Sequence, residues 1–168
     1  MIHWMYYPRS KKPSATALAV VAAFDGVSTE IDSSCRDLES NEVLRLLAPA
    51  LMAAGFRVET GKTADTKISV PVLFGANGKI EKSFDADAYQ ESSGFVVEVE
   101  APRGVVNNQF LKDLFQACMM FNVRELAIAV RKVYKGRNDF DGVTRFFDTL
   151  YASDRLTLPL EGILILGY

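Results

Sequence analysis

The chain has 168 residues, 49% of them hydrophobic and 24% charged, which suits one folded domain with a substantial core and disorder confined to ends and loops. A formal charge of −2 and a sequence pI near 5.5 exclude a global field that would draw it to nucleic acid or anionic lipid, so any such binding rests on local basic patches. The single histidine, His3, argues against histidine-based zinc sites, Ser-His-Asp triads and histidine–metal nucleases. No apolar run reaches the length of a membrane span. Met1–Ser10 is too polar and aromatic for a signal peptide, and the two cysteines, Cys35 and Cys118, stand far apart. A cytoplasmic protein with reduced thiols and no membrane partner is therefore expected.

No internal repeat or low-complexity linker interrupts residues 1–168, which read as one domain. The run His3-Trp4-Met5-Tyr6-Tyr7 is dense in aromatics, so residues 1–14 have two readings: they fold back onto the core, or they form a mobile arm that covers a partner subunit in a homodimer. Pro8–Pro13 is a basic surface loop. Ala15–Phe24 is apolar on all sides, and periodicity does not separate a buried helix from a strand there. Asp25–Asp37 is polar and rich in turn formers. Ser40–Ala54 has a helical pattern, with Ser40 or Asn41 as cap, Val43, Leu44, Leu47 and Leu51 as the apolar face, and Gly55 as the stop. Pro49 predicts a kink or two shorter helices.

Phe56–Thr60 reads as a short strand. Ile68–Phe74 and Lys79–Tyr89 flank an Asn-Gly turn and predict a hairpin, with Ser83, Asp85, Asp87 and Tyr89 on one face of its second strand. Phe95–Ala101 follows as a third strand, Val96, Glu98 and Glu100 on one face and Phe95, Val97, Val99 and Ala101 on the other. After the loop Pro102–Val106, Asn107 or Asn108 caps a helix to about Phe121, with Phe110, Leu111, Leu114, Phe115 and Cys118 turned inward. Glu125–Val133 is an apolar central strand, Lys135–Asn138 a basic loop, Asp141–Ala152 an amphipathic helix, and Gly162–Tyr168 a closing strand. The expected fold is α/β, a mixed sheet flanked by helices.

If the Gln90–Gly94 turn makes the second and third strands neighbours, Asp85, Asp87, Glu98 and Glu100 share one face within about 5–8 Å. Like charges this close repel and raise at least one pKa. A hard cation removes the conflict, because Mg²⁺ (or Mn²⁺) prefers oxygen ligands and takes one or two carboxylates with waters and phosphate. Phosphodiester hydrolysis follows from that chemistry. The plainer reading is a solvated strand face; the apolar start of the strand, Phe95–Val97, and the loop at its end favour the mouth of a cleft.

The layout of residues 40–133 resembles the PD-(D/E)xK nuclease superfamily, the restriction-endonuclease-like fold, and within it Type II restriction enzymes of the BamHI and BglII kind. The stretch Gly94–Val130 carries the resemblance, with Glu98-Val99-Glu100 at the acid-x-lysine motif and Asp87 (or Asp85) at the aspartate of the second strand. Glu42, in a helix followed by Gly55-Phe56, looks like the glutamate of the superfamily's first helix. The resemblance implies a restriction-endonuclease-like mixed sheet, with Asp87, Glu98, Glu100, Glu42 and Asp85 as metal ligands. It departs where lysine is expected: Glu100 stands there, as general base or second metal ligand by likeness to acid-x-acid variants. Lys112 on the following helix, sharing a face with Gln109, is the candidate for a displaced lysine.

Phosphate contacts would come from Arg103 and Gln109 near the motif and from the basic patches Arg9–Lys12 and Arg131–Arg137, the latter with Arg131, Lys132, Lys135 and Arg137, and Tyr134 to pack on sugar or base. The expected function is a Mg²⁺- or Mn²⁺-dependent nuclease acting on DNA. The alternative, favoured by the missing strand lysine, is a nuclease-like scaffold without chemistry that serves nucleic-acid binding, assembly or regulation.

Overall fold

The computed structural model describes residues 1–61, 63, 65–100, 108–133 and 136–168. In chain order the elements are β1 (His3–Tyr7), α1 (Ala15–Gly26), α2 (Ser28–Ile31), α3 (Ser40–Ala53), β2 (Arg57–Val58), β3 (Ile68–Phe74), β4 (Ile80–Ala86), β5 (Ala88–Gln90), β6 (Phe95–Val99), α4 (Gln109–Met119), β7 (Glu125–Val130), α5 (Asp139–Ser153) and β8 (Gly162–Gly167). The fold is α/β, a mixed sheet flanked by helices. Six strands make the sheet in the order β1-β8-β7-β6-β5-β2, and β3 and β4 stand apart as a two-stranded hairpin. β6, β7 and β8 run parallel; β1 closes one edge antiparallel to β8, while β5 and then β2 continue the other edge antiparallel.

Strand alternation sends neighbouring residues to opposite helical layers. Phe95, Val97 and Val99 of β6 join Ala127, Leu164 and Leu166 against α1 and α3, where Val20, Phe24, Leu47 and Leu51 are fully buried. Val96, Leu126, Ile128, Ile163 and Ile165 point the other way, against Phe110 and Leu114 of α4 and Val143 and Phe147 of α5. Each Val, Leu, Ile or Phe side chain buried in this way contributes about 1.5–3 kcal/mol of transfer free energy. The central strands therefore carry apolar residues on both faces.

Ala15–Phe24 resolves as helix α1: Ser14 Oγ accepts the Ala17 N–H at 3.0 Å, and Ala17, Val20, Val21 and Phe24 make one buried stripe. α3 is one helix rather than two, with Pro49 inside it on the exposed face. Its cap is Glu39, one residue before the expected Ser40 or Asn41, with the Glu39 N–H donating to Glu42 Oε2 at 2.8 Å.

Within residues 1–14, His3–Tyr7 is docked as edge strand β1. His3–Tyr7 pairs along β8 from His3–Gly167 to Tyr7–Ile163, and Tyr6 and Tyr7 are buried, with Tyr7 Oη donating to Thr144 O at 2.9 Å. Tyr6 and Tyr7 enter the chain's own core, while His3 and Trp4 of the same strand are exposed. Two further expectations change: the strand expected over Glu125–Val133 ends at Val130, and Phe115 of α4 is exposed rather than inward. Among the described residues no helix is long and apolar enough to cross a membrane.

Gly94 fixes the turn between β5 and β6. Its φ of +69° lies in the left-handed region, and a Cβ there would stand 2.2 Å from Asn122 O, so only glycine fits. Its carbonyl accepts the Arg124 N–H at 2.8 Å, which ties the start of β6 to the start of β7.

Candidate functional site

The expected continuous strand Lys79–Tyr89 breaks at Asp87. β4 ends at Ala86 in the hairpin, and β5 begins at Ala88 in the main sheet. The β5–β6 ladder pairs Ala88 with Val97, and one step further side chains replace the backbone bonds. Asp87 Oδ2 accepts the Val99 N–H at 2.7 Å, Glu98 accepts the Asp87 N–H, and the Asp87 carbonyl accepts the Glu59 N–H at 2.8 Å. Asp87 and Glu98 are thereby fixed by main-chain donors at the carboxyl end of β6, where the sheet changes from parallel to antiparallel. In open α/β sheets ligands bind outside the carboxyl ends of strands.

Backbone pairing continues through Glu100, whose N–H donates to Ala129 O at 2.8 Å and whose carbonyl accepts from Tyr168 Oη at 2.7 Å. Alternation keeps the Glu100 side chain beside Glu98, on the α4 layer. There it meets Asp113 of α4, carboxyl against carboxyl. Asp113 is 5% exposed, and its Oδ2 receives no donor from the described residues. Two carboxyl groups in contact need a proton or a cation between them.

A cavity of about 240 Å³ collects these groups. Glu59, Asp85, Asp87, Glu98, Glu100 and Asp113 line it, with Lys112, Ser40 and Gln116. Burial raises Asp87 to about 7 against the pull of the Val99 N–H, with Glu59 and Asp113 adding to the rise. Burial, then contact with Asp113, raises Glu100 to about 9. Glu98 is pushed well above the carboxylate range by burial first and by the Asp87 charge second. All three shifts run the same way, toward the protonated carboxyl, because the acids crowd one another away from bulk water.

No protein-family model and no curated protein sequence matches this chain.

Among the described residues no group of three or more His, Cys, Asp or Glu side chains is set to hold a metal ion as it stands. A hard cation such as Mg²⁺ asks for less, one or two carboxylates with waters making up the rest. The acids supply oxygen donors only, and Asp113 Oδ2 is a buried acceptor with no donor among the described residues. These residues fit such an ion.

Of the sequence-derived residues, Asp87, Glu98 and Glu100 come together in this cavity. Asp85 reaches its rim, exposed, where Lys67 Nζ holds its Oδ2 at 2.5 Å. Glu42 lies elsewhere: its carboxylate caps its own helix, and it lines a neighbouring, mostly apolar cavity of about 320 Å³ that, among the described residues, shares Glu59 with the acidic one. Lys112 is at the mouth, its side chain 62% exposed and its Nζ 4.0 Å from Asp113 Oδ1. Gln109, one turn earlier, does not line the cavity; Gln116, one turn later, does.

The C-terminal basic patch is corrected at two positions. Arg131 is buried, pairs with Asp37 and donates to the Leu38 carbonyl, so it ties the loop before α3 to the end of β7 instead of facing phosphate. Lys132 Nζ donates to Met1 O at 2.7 Å and stands 4.0 Å from Asp32. Arg137 is exposed. Arg103, Tyr134 and Lys135 lie outside the described residues. In the first patch, Arg9 pairs with Asp148 at 3.3 Å and Lys11 Nζ donates to Glu161 O at 3.1 Å.

Asp113, Glu59, Ser40 and Gln116 are absent from the sequence-derived set. For Asp113 a signal exists: with Phe110, Leu114 and Ala117 it completes an i, i+3, i+4, i+7 stripe, and an acid inside a buried stripe marks a site.

Proposed function

We propose that the chain is a metal-dependent nuclease that hydrolyses phosphodiester bonds, of DNA, at the carboxylate cavity. The observation that carries this reading is the convergence of Asp87, Glu98 and Glu100 in one cavity at the carboxyl end of β6. Support comes also from element order. With the β3–β4 hairpin as an insertion, α3, β2, β5, β6, α4 and β7 follow the helix, three strands, helix, strand succession of the PD-(D/E)xK superfamily that the motif resembles.

Asp87, Glu98 and Glu100 would hold Mg²⁺ or Mn²⁺, which when bound polarises a phosphoryl oxygen and acidifies water. Around it the protein's groups have separate tasks. Main-chain N–H groups fix Asp87 and Glu98, so these acids need no reorganisation when substrate arrives. Glu100, whose side chain no main-chain donor anchors among the described residues, takes up or gives a proton at its carboxyl. Lys112 presents positive charge at the mouth, where a phosphate would approach. Cys35 and Cys118 are free thiols, which suits the cytoplasm as compartment.

One observation favours the competing reading, a scaffold that binds nucleic acid without cutting it: Glu100 occupies the lysine position and Lys112 extends into solvent. A single assay separates the two. Purified protein is incubated with linear, circular and structured DNA, with Mg²⁺, with Mn²⁺ and with chelator. Metal-dependent cleavage by the wild type, reduced at least about 100-fold in Glu98→Ala, is the expected result. Cleavage absent in every condition, or equal in both proteins, sinks the nuclease reading.

A further inference from the structure

We infer that the exposed outer face of α4, continued by the tip of the β3–β4 hairpin, binds an unpaired strand of DNA by base stacking and leads it to the carboxylate cavity. The inference deepens the nuclease reading, on which it rests for its choice of polymer. Periodicity divides α4 into two faces. Phe110, Asp113, Leu114 and Ala117 are buried, whereas Lys112, Phe115 and Met119 recur at i, i+3 and i+7 on the exposed side. Lys112 and Gln116 also line the cavity, so the exposed face begins at its mouth.

The hairpin extends this face beyond α4. The Phe121 N–H donates to Pro71 O at 2.7 Å, which ties the end of α4 to β3, and the Phe121 ring meets Phe74 edge to face with centroids 5.1 Å apart. Ile80 is the register partner of Phe74 across the hairpin. Phe74, Ile80, Phe115, Met119 and Phe121 are each 46–57% exposed, and the three exposed phenylalanines among the described residues all belong to this strip. Contiguous apolar side chains of that size mark a binding surface rather than scattered solvent contacts.

Charge identifies the occupant. On α4 and the hairpin, the exposed lysines Lys79, Lys82 and Lys112 stand at the two ends of the strip. The acids of these elements are engaged: Asp113 is buried, Asp85 is bonded to Lys67, and Glu81 lies folded against Gly75 in the turn. A second copy seated here about a two-fold axis would set lysine ends against lysine ends. An unpaired strand suits both features, since its phosphates meet the lysines and its bases stack on the phenylalanines. A duplex keeps its base faces stacked inside and offers the strip nothing but phosphate.

The test measures binding of the full-length chain to fluorescein-labelled oligothymidylate and to a duplex of the same length, with chelator present so that no cleavage intervenes. Tighter binding of the single strand is expected. Phe115→Ala and Phe121→Ala should each weaken it at least about fivefold, with Met52→Ala, an exposed side chain on α3 in the other helical layer, as wild type. Lys79→Gln and Lys82→Gln should each lower the slope of log affinity against log salt by about 0.7. Circular dichroism verifies that every variant is folded. No binding of the single strand, equal or tighter binding of the duplex, or phenylalanine variants that bind as wild type overturns the inference. So does a dimer in light scattering that Phe115→Asp dissociates, which would make the strip a self-interface. If the chain still cuts DNA with Mg²⁺ in those cases, the nuclease reading stands; single-strand binding through this face without cleavage keeps the inference and sinks the nuclease reading.

Discussion

Glu100 stands where the superfamily it resembles carries lysine, and its surroundings set its cost to the fold. Its carboxyl is raised from 4.5 to about 9 by burial and by Asp113, and Asp87 is raised from 3.8 to about 7 by burial. Both folded-state values lie above the unfolded ones, so the folded chain binds these protons more tightly. The resulting stability is complete below about pH 4, and it is lost as pH rises through about 7 for Asp87 and about 9 for Glu100. In the absence of metal, the melting temperature should therefore fall between about pH 5 and about pH 9. Glu100→Gln removes the ionisation and should flatten the upper part of that fall. At about pH 9 it should raise stability by about 1–2 kcal/mol, a few degrees in Tm for a chain of this size, while abolishing cleavage. Thermal melts across that range with chelator present check this. A wild-type Tm that rises with pH, or a variant less stable than wild type at the alkaline end, contradicts the assignment.

Elements place these acids, and the loop ahead of α3 depends on one buried cation. Arg131 follows β7 and binds Asp37 and the Leu38 carbonyl. Removing it leaves the Leu38 carbonyl without this donor and a gap where the guanidinium packed, while the exposed Asp37 returns to water, so Arg131→Ala should cost about 1–2 kcal/mol in urea denaturation with Mn²⁺ affinity unchanged. Unchanged stability with weakened DNA binding would return Arg131 to the phosphate-contacting role its sequence suggests. That residue shows what sequence leaves out. A basic run looks the same whether it faces phosphate or an internal carbonyl, and only tertiary packing separates the two. The alternation of Phe95–Val99 and the stripe of α3 were legible because a periodic apolar pattern has one packed solution. The break at Asp87 was not, because nothing local in Lys79–Tyr89 says that half the segment leaves one sheet for another. Asp113 is the weaker signal, because a lone acid on an amphipathic helix normally faces solvent and only its place in the apolar stripe says otherwise.

At the scale of the molecule, two helical layers bury a sheet whose parallel centre and antiparallel edge meet at β6. That meeting point lets acids from β6, α4 and the β4–β5 break reach one cavity, while the chain as a whole carries a formal charge of only −2. On the proposed reading, attraction to a phosphate polymer would come from the cation-loaded site and from exposed groups such as Lys112. The central claim is that this cavity is a divalent-cation site. Its most direct test is anomalous diffraction from crystals of the protein soaked in Mn²⁺. The account predicts peaks among Asp87, Glu98, Glu100 and Asp113; a saturating soak that leaves the cavity without anomalous density contradicts it.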